Sequence, residues 1–137
     1  MSKIAVVYWS GTGNTEAMAG FVAAGAAGAE VSTFTAGEFG ASKVAEFDAF
    51  ALGCPAMGAE VLEEYEFQPM FDEISGSLSG KKVALFGSYG WGSGEWMETW
   101  EGDCRALGMN VVGTVICNGA PDGDVAVQCK ELGAKLV

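Results

Sequence analysis

The run Ile4-Ala5-Val6-Val7-Tyr8-Trp9-Ser10-Gly11-Thr12-Gly13-Asn14-Thr15 joins an apolar stretch of strand length to a loop of hydroxyls, glycines and one amide. Such a loop between a strand and a helix is suited to binding phosphate, because its backbone N–H groups and the helix N-terminus attract an anion. The loop has no Lys or Arg, so hydrogen bonds alone would hold the phosphate. An ordinary strand–helix turn, capped by Thr12 or Asn14, is the alternative interpretation.

Three other phosphate-binding loops do not match this stretch. The dinucleotide fingerprint G-x-G-x-x-G requires glycine at position 16, where the chain has Glu16. A nucleoside triphosphate loop requires a Lys, and a phosphatase loop requires a nucleophilic Cys and an Arg. What remains is a monophosphate cradle formed by backbone amides with the side chains of Ser10, Thr12, Asn14 and Thr15.

Composition narrows the function classes. The chain of 137 residues is expected to form one domain, residues 1–137, and no apolar run is long enough to span a membrane. Without a secretion signal, the expected compartment is the cytoplasm. A formal net charge of −11 disfavours nucleic acid and anionic membranes and favours basic protein partners, unless acidity serves only solubility. Four cysteines without a C-x-x-C pair, and no His, indicate buried thiols rather than a metal site.

Five strand-like runs alternate with helix-like ones, and this pattern predicts an α/β fold with a parallel sheet covered by helices on both faces. The runs are 3–9, 30–34, 48–53, 81–87 and 110–117. Helical spacing is seen in two apolar stripes, the second of them preceded by Ser93 as a helix cap. The stripes are Phe67, Met70, Phe71, Ile74 and Leu78, and Trp96, Trp100, Cys104 and Leu107.

Two further loops that follow predicted strands carry unusual residues. In Cys54-Pro55-Ala56-Met57-Gly58-Ala59-Glu60, the methionine and glycine suit a flat, polarizable ligand, although core packing and a turn would also explain them. In Gly87-Ser88-Tyr89-Gly90-Trp91-Gly92-Ser93-Gly94, a Trp between glycines predicts stacking on an aromatic ligand. Ligands of parallel sheets bind at the carboxyl ends of the strands, where all three loops are expected.

The chain resembles the flavodoxins, in particular the short-chain flavodoxins of anaerobic bacteria. The resemblance is carried by 8–16, 53–58 and 81–92, in that order, and runs over nearly the whole length. It implies a flavodoxin-like three-layer αβα sandwich whose five-stranded parallel sheet has the order 2-1-3-4-5. It also implies bound flavin mononucleotide, FMN.

The resemblance further implies where FMN lies. The phosphate is expected on the first loop, and the ring between Met57 and the plane of Trp91. The amides of Gly90 and Trp91 would face the pyrimidine edge of the ring, where Glu60 would accept a hydrogen bond. The expected cofactor-binding residues are Trp9, Ser10, Gly11, Thr12, Gly13, Asn14, Thr15, Pro55, Ala56, Met57, Gly58, Glu60, Ser88, Tyr89, Gly90, Trp91, Gly92 and Asn118. No catalytic or metal-binding residue is expected.

The implied function is that of a low-potential one-electron carrier, not an enzyme, cycling mainly between the semiquinone and hydroquinone of FMN. As a monomer it would shuttle electrons between redox proteins with basic docking patches, such as ferredoxin-type oxidoreductases or hydrogenase. The acidic residues expected to face these partners are Glu60, Glu63, Glu64, Glu66, Glu95, Glu98, Glu101 and Asp103. The alternatives are an FMN-dependent NAD(P)H:quinone or nitro reductase on the same fold, and a flavin store or signalling domain.

Overall fold

The sheet of this protein contains five parallel strands in the order β2-β1-β3-β4-β5, as the resemblance implies. A computed structural model describes residues 2–137. The strands begin and end within two residues of the predicted runs. They are β1 Lys3–Tyr8, β2 Glu30–Thr35, β3 Ala49–Gly53, β4 Lys82–Tyr89 and β5 Asn110–Asn118.

Helices cover both faces of the sheet and complete the expected three layers. Alternate residues of a strand point to opposite faces, so Val6 packs with one group of helices and Val7 with the other. Helices α1 and α5 lie on the Val6 face, while α3 and α4 lie on the Val7 face. The helices are α1 Asn14–Gly25, α2 Ala41–Val44, α3 Phe67–Ile74, α4 Glu95–Ala106 and α5 Gly123–Ala134, with 3₁₀ turns at Ala36–Glu38 and Ser75–Ser77.

The two apolar stripes meet between α3 and α4. The indole of Trp100 packs edge-on against Phe67 and Phe71, with ring centroids 5.4 Å and 6.0 Å away. The prediction that Leu107 continues the second stripe is wrong, because α4 ends at Ala106 and Leu107 is 45 % exposed. Gly108, with φ +87°, then turns the chain toward β5.

Helices α1 and α5 are in direct backbone contact. A Cβ added at Gly25 would overlap the carbonyl of Lys130, and one at Gly133 would overlap the carbonyl of Val22. These two glycines therefore let the helices approach more closely than any side chain would permit. Gly20, in the middle of α1, has no such neighbour within 4 Å.

All four cysteines are free and buried, which confirms the interpretation from their spacing. Burial raises the pKa of the Cys54 thiol to about 12, and the thiols of Cys104 and Cys129 are raised to a pKa of about 12 for the same reason. These thiols are therefore protonated at neutral pH. Within residues 2–137, no helix is long and apolar enough to cross a membrane.

Candidate functional site

The strand order places the three unusual loops side by side, because β1, β3 and β4 are neighbours. Backbone hydrogen bonds between these strands continue past their ends. Trp9 donates to the carbonyl of Gly53 at 3.0 Å, and Ala56 donates to the carbonyl of Ser88 at 3.1 Å. The residues at the start of the first and second loops therefore form the same kind of backbone hydrogen bonds as the strands.

A cavity of about 260 Å³ lies among these loops. Aromatic and apolar side chains form much of its lining, together with the backbone of several glycines. The lining residues are Trp9, Gly11, Thr12, Asn14, Pro55, Ala56, Met57, Ser88, Tyr89, Gly90 and Gly119. All of them except Gly119 were predicted from the sequence.

The side chain that caps the first turn of α1 is that of Ser10, and not that of Thr12 or Asn14. The Ser10 hydroxyl accepts hydrogen bonds from the backbone N–H groups of Gly13 at 3.1 Å and Glu16 at 3.2 Å. Gly13, with φ +94°, makes the turn into α1. Within residues 2–137, no acceptor takes the backbone N–H groups of Gly11, Thr12, Asn14 and Thr15. The loop therefore retains four main-chain donors for an anion.

The side chain of Thr15 makes a contact that the sequence did not predict. Its hydroxyl is buried and lies 3.3 Å from the hydroxyl of Ser88, and the backbone N–H of Ser88 donates to it at 3.4 Å. This contact links α1 to β4, and the predicted bond between Thr15 and a phosphate stays a prediction.

The second loop is a tight turn closed by two hydrogen bonds. Met57 and Val61 exchange backbone bonds of 2.9 Å and 3.0 Å. Gly58 has φ +49°, a conformation that a side chain disfavours, and an added Cβ would meet nothing within 4 Å. Glycine is therefore needed here for its backbone conformation and not for space.

The third loop leaves Trp91 69 % exposed and outside the lining of the cavity. Trp96, by contrast, is buried, and its indole N–H donates to the carbonyl of Cys54 at 3.2 Å. Ser93 does not cap α4: the helix begins after Gly94, and the capping carboxylate comes from Glu60. A capping residue from another loop leaves no signal in the local sequence.

One charged residue differs from expectation, and one polar residue lies beside the cavity lining with its predicted contact untested. Glu63 was expected to face a partner, but it is 4 % exposed and accepts from the backbone N–H groups of Tyr65, Glu66 and Phe67 at 2.7–2.8 Å. An acid just before the apolar stripe of α3 was the available signal for this cap. Asn118 is exposed at the end of β5 and does not line the cavity.

Gly119 is the lining residue that the sequence did not single out. Its backbone N–H donates to the carbonyl of Tyr89 at 2.9 Å, and its φ is +73°. This bond brings the chain after β5 to the cavity one residue later than expected.

Comparison with known proteins gives the family. Residues 6–135 match the family model described as flavodoxin. The chain belongs to the flavodoxin family. The flavodoxin of Megasphaera elsdenii is 51 % identical over 132 residues, 95 % of each chain, and that of Clostridium beijerinckii is 48 % identical over 134 residues, 96 % of each. The solution structure of the two-electron reduced Megasphaera elsdenii flavodoxin has a TM-score of 0.90 at 49 % identity, over 97 % of each chain.

As a flavodoxin, the chain is an FMN-binding electron carrier that serves redox partners, and it is not an enzyme. The residues present fit this cofactor. Four main-chain donors at the first loop suit a phosphate, and the lining of Trp9, Met57 and Tyr89 suits an aromatic ring. When bound, FMN supplies the one-electron chemistry, and the protein supplies its binding, orientation and electrostatic environment.

Proposed function

We propose that this flavodoxin is a low-potential carrier, which works mainly between the semiquinone and hydroquinone levels of FMN. The distribution of charge supports the proposal. None of the residues that line the cavity is basic. The seven basic residues lie at the amino ends of strands, in α2, or in the later turns of α4 and α5 and just beyond them, away from the carboxyl edge of the sheet: Lys3, Lys43, Lys81, Lys82, Arg105, Lys130 and Lys135.

Acidic residues occupy the carboxyl edge instead. They are Glu16, Glu38, Glu60, Glu63, Glu64, Glu66, Glu95, Glu98, Asp122 and Asp124. One carboxylate about 10 Å from an added electron costs roughly 0.4–0.8 kcal/mol at an effective dielectric constant of about 80 to 40. Several such charges, with no cation in the cavity lining, make the second electron hard to add and the potential low.

The proposed site is the cavity among the three loops. The phosphate would accept from the main-chain N–H groups of the first loop, and the ring would lie against Met57 and the third loop. The set predicted from the sequence remains the proposed set, with Gly119 added. The exposed ring of Trp91, on the third loop, would stack on the flavin ring.

Anaerobic reductive titration of the FMN-loaded protein tests the redox proposal. The visible spectrum should first show the neutral blue semiquinone, and the hydroquinone should appear only at a much lower potential. A single two-electron step without the blue species would contradict the proposal. Repeating the titration at high salt should raise the second potential, because salt screens the carboxylates.

The proposed partners are redox proteins with basic docking patches, such as ferredoxin-type oxidoreductases or a hydrogenase. Three exposed apolar side chains, Val61, Tyr65 and Trp91, lie on the loops that carry these acids and would form the centre of the contact. The rate of electron transfer to a basic partner should fall as ionic strength rises. A rate that does not depend on salt would contradict docking through this face.

Within this proposal, residues 1–137 act as a single-domain monomer in the cytoplasm and bind neither nucleic acid nor membrane. Away from the loops, the exposed apolar side chains Leu107, Val127 and Val137 belong to different elements, which is common on monomeric proteins. Light scattering of the FMN-loaded protein after size exclusion should give the mass of one chain, and twice that mass would contradict it.

A further inference from the structure

Glu60 connects the second loop to the start of α4. Its Oε1 accepts hydrogen bonds from the backbone N–H of Gly94 at 3.1 Å and from that of Glu95 at 2.9 Å. These are the N-cap and the first residue of α4, whose N–H groups lack partners within the helix. One carboxylate oxygen thus satisfies two donors on a different loop.

Glu60 has a backbone conformation that residues with a side chain rarely adopt. Its φ of +55° is the only positive value at a non-glycine residue within residues 2–137. A residue with a Cβ avoids this conformation unless surrounding contacts impose it. Here the bridge between Met57 and Val61 holds one side of the turn, and the two N–H groups of α4 hold the side chain.

A second, independent observation concerns Gly92. A Cβ at this residue would lie 2.9 Å from Cδ and 3.0 Å from Oε1 of Glu60, closer than atoms normally approach. The third loop therefore leaves room for this carboxylate at Gly92. The other carboxylate oxygen, Oε2, has no hydrogen-bond partner within residues 2–137.

We infer that Glu60 is a positioning residue that couples occupancy of the FMN site to the N-terminus of α4. The turn closed by Met57 and Val61 carries Glu60, its Met57 lines the cavity, and the α4 amides hold Oε1 of Glu60. By reciprocity, FMN then stabilises the first turn of α4, and any loosening of that turn weakens FMN binding. The acids Glu95 and Glu98, proposed to meet redox partners, are in this turn. The inference rests on the proposed FMN site.

Residue-resolved amide hydrogen exchange on the apoprotein tests the first half of this inference. Glu60→Ala should speed exchange at Gly94 and Glu95 at least tenfold. Glu60→Gln should have a smaller effect, because its amide oxygen still accepts, and Gly92→Ala should also speed exchange by displacing the carboxylate. Glu64→Gln is the matched control on the same loop, and it should leave both amides unchanged. Equal exchange in the wild type, Glu60→Gln and Gly92→Ala would overturn the inference, even if Glu60→Ala does not fold.

Adding FMN tests the second half. In the wild type, FMN should slow exchange at Gly94 and Glu95, and in Glu60→Ala it should not. If FMN leaves the Gly94 and Glu95 amides of the wild type unchanged, or slows them equally in the wild type and Glu60→Ala, the coupling is overturned. The amides of Gly11 and Thr12, which have no acceptor within residues 2–137, report on the FMN site itself. If FMN leaves these two unchanged in the wild type, the proposed site fails, which is a result distinct from failure of the coupling.

Discussion

The carboxylate of Glu63 accepts a hydrogen bond from the backbone N–H of Phe67 at 2.8 Å. The bond closes the N-terminus of α3, and two more bonds from Tyr65 and Glu66 converge on the same side chain. The Glu63 backbone N–H in turn donates to the sulfur of Cys54 at 3.3 Å. Through these bonds, this buried acid connects the second loop, at Cys54, to the first turn of α3.

Glu63 should make the free energy of unfolding depend on pH. Burial raises the pKa of this carboxyl, but the bonds from Phe67, Glu66 and Tyr65 outweigh burial and lower the pKa overall. A lowered pKa in the folded state contributes stability above the pKa of the unfolded chain, and that stability is lost as the pH falls through the folded pKa. Glu63→Gln should lower the free energy of unfolding of the apoprotein by about 1–3 kcal/mol at neutral pH.

Urea unfolding of the wild type and Glu63→Gln at about pH 7 and about pH 3 measures this effect. The difference between the two proteins should shrink as the pH falls through the lowered pKa of the folded Glu63 carboxyl. Glu64→Gln, at the exposed neighbouring position, is the control and should match the wild type at both values. A difference that stays constant with pH would mean that the charge of Glu63 does not matter.

The glycines of the outer helices should respond in opposite directions to the same substitution. Gly133→Ala should destabilise the protein by about 1–3 kcal/mol, because its Cβ would overlap the carbonyl of Val22. Gly20→Ala should stabilise it by about 0.5–1 kcal/mol, because alanine favours the helix and meets no neighbour. Thermal unfolding of both variants tests this, and a Gly133→Ala protein as stable as the wild type would disprove the close contact of α1 with α5.

Substitution of Trp91, in the third loop, should affect FMN binding, whereas substitution of Trp96, in α4, should affect the stability of the protein. Trp91→Ala should leave the stability of the apoprotein almost unchanged, since Trp91 is largely exposed, and should weaken FMN binding by about 0.5–1.5 kcal/mol through lost stacking. Trp96→Ala, which removes a buried ring, should cost about 3–5 kcal/mol of stability. Fluorescence titration with FMN gives the affinities. An unchanged FMN affinity in Trp91→Ala would show that this ring does not stack.

Gly58 should control the first one-electron potential of bound FMN. Replacing Gly58 by Thr places a side chain at a positive φ. The strain costs roughly 1 kcal/mol in each redox state that needs this conformation, which is equivalent to about 40 mV in a one-electron potential. Gly58→Thr should lower the first potential with little loss of FMN affinity. Ala59→Thr, whose φ is not positive, is the matched control for spectroelectrochemistry. Equal potentials in the two variants would contradict a role for the Gly58 backbone.

The sequence predicted the sheet and the three loops because both depend on local patterns. Apolar runs of strand length and small polar residues after them are visible in any short window. The contacts that the sequence did not predict depend on distant neighbours. Thr15 bonds Ser88, which is 73 positions away, and α4 is capped by Glu60, more than 30 positions before it. Leu107 continued an apolar spacing that the end of α4 interrupts.

The hydrogen bonds that run past the ends of β1, β3 and β4 have a consequence for how the cofactor comes and goes. Trp9, Cys54 and Ala56 are tied to neighbouring strands, so main-chain bonds within the protein, and not contacts with FMN, fix the base of the cavity. Binding then costs little conformational entropy at the base, and only the rim around Gly58 and Trp91 must settle. A molecule that loses FMN is therefore expected to remain folded and ready to be loaded again.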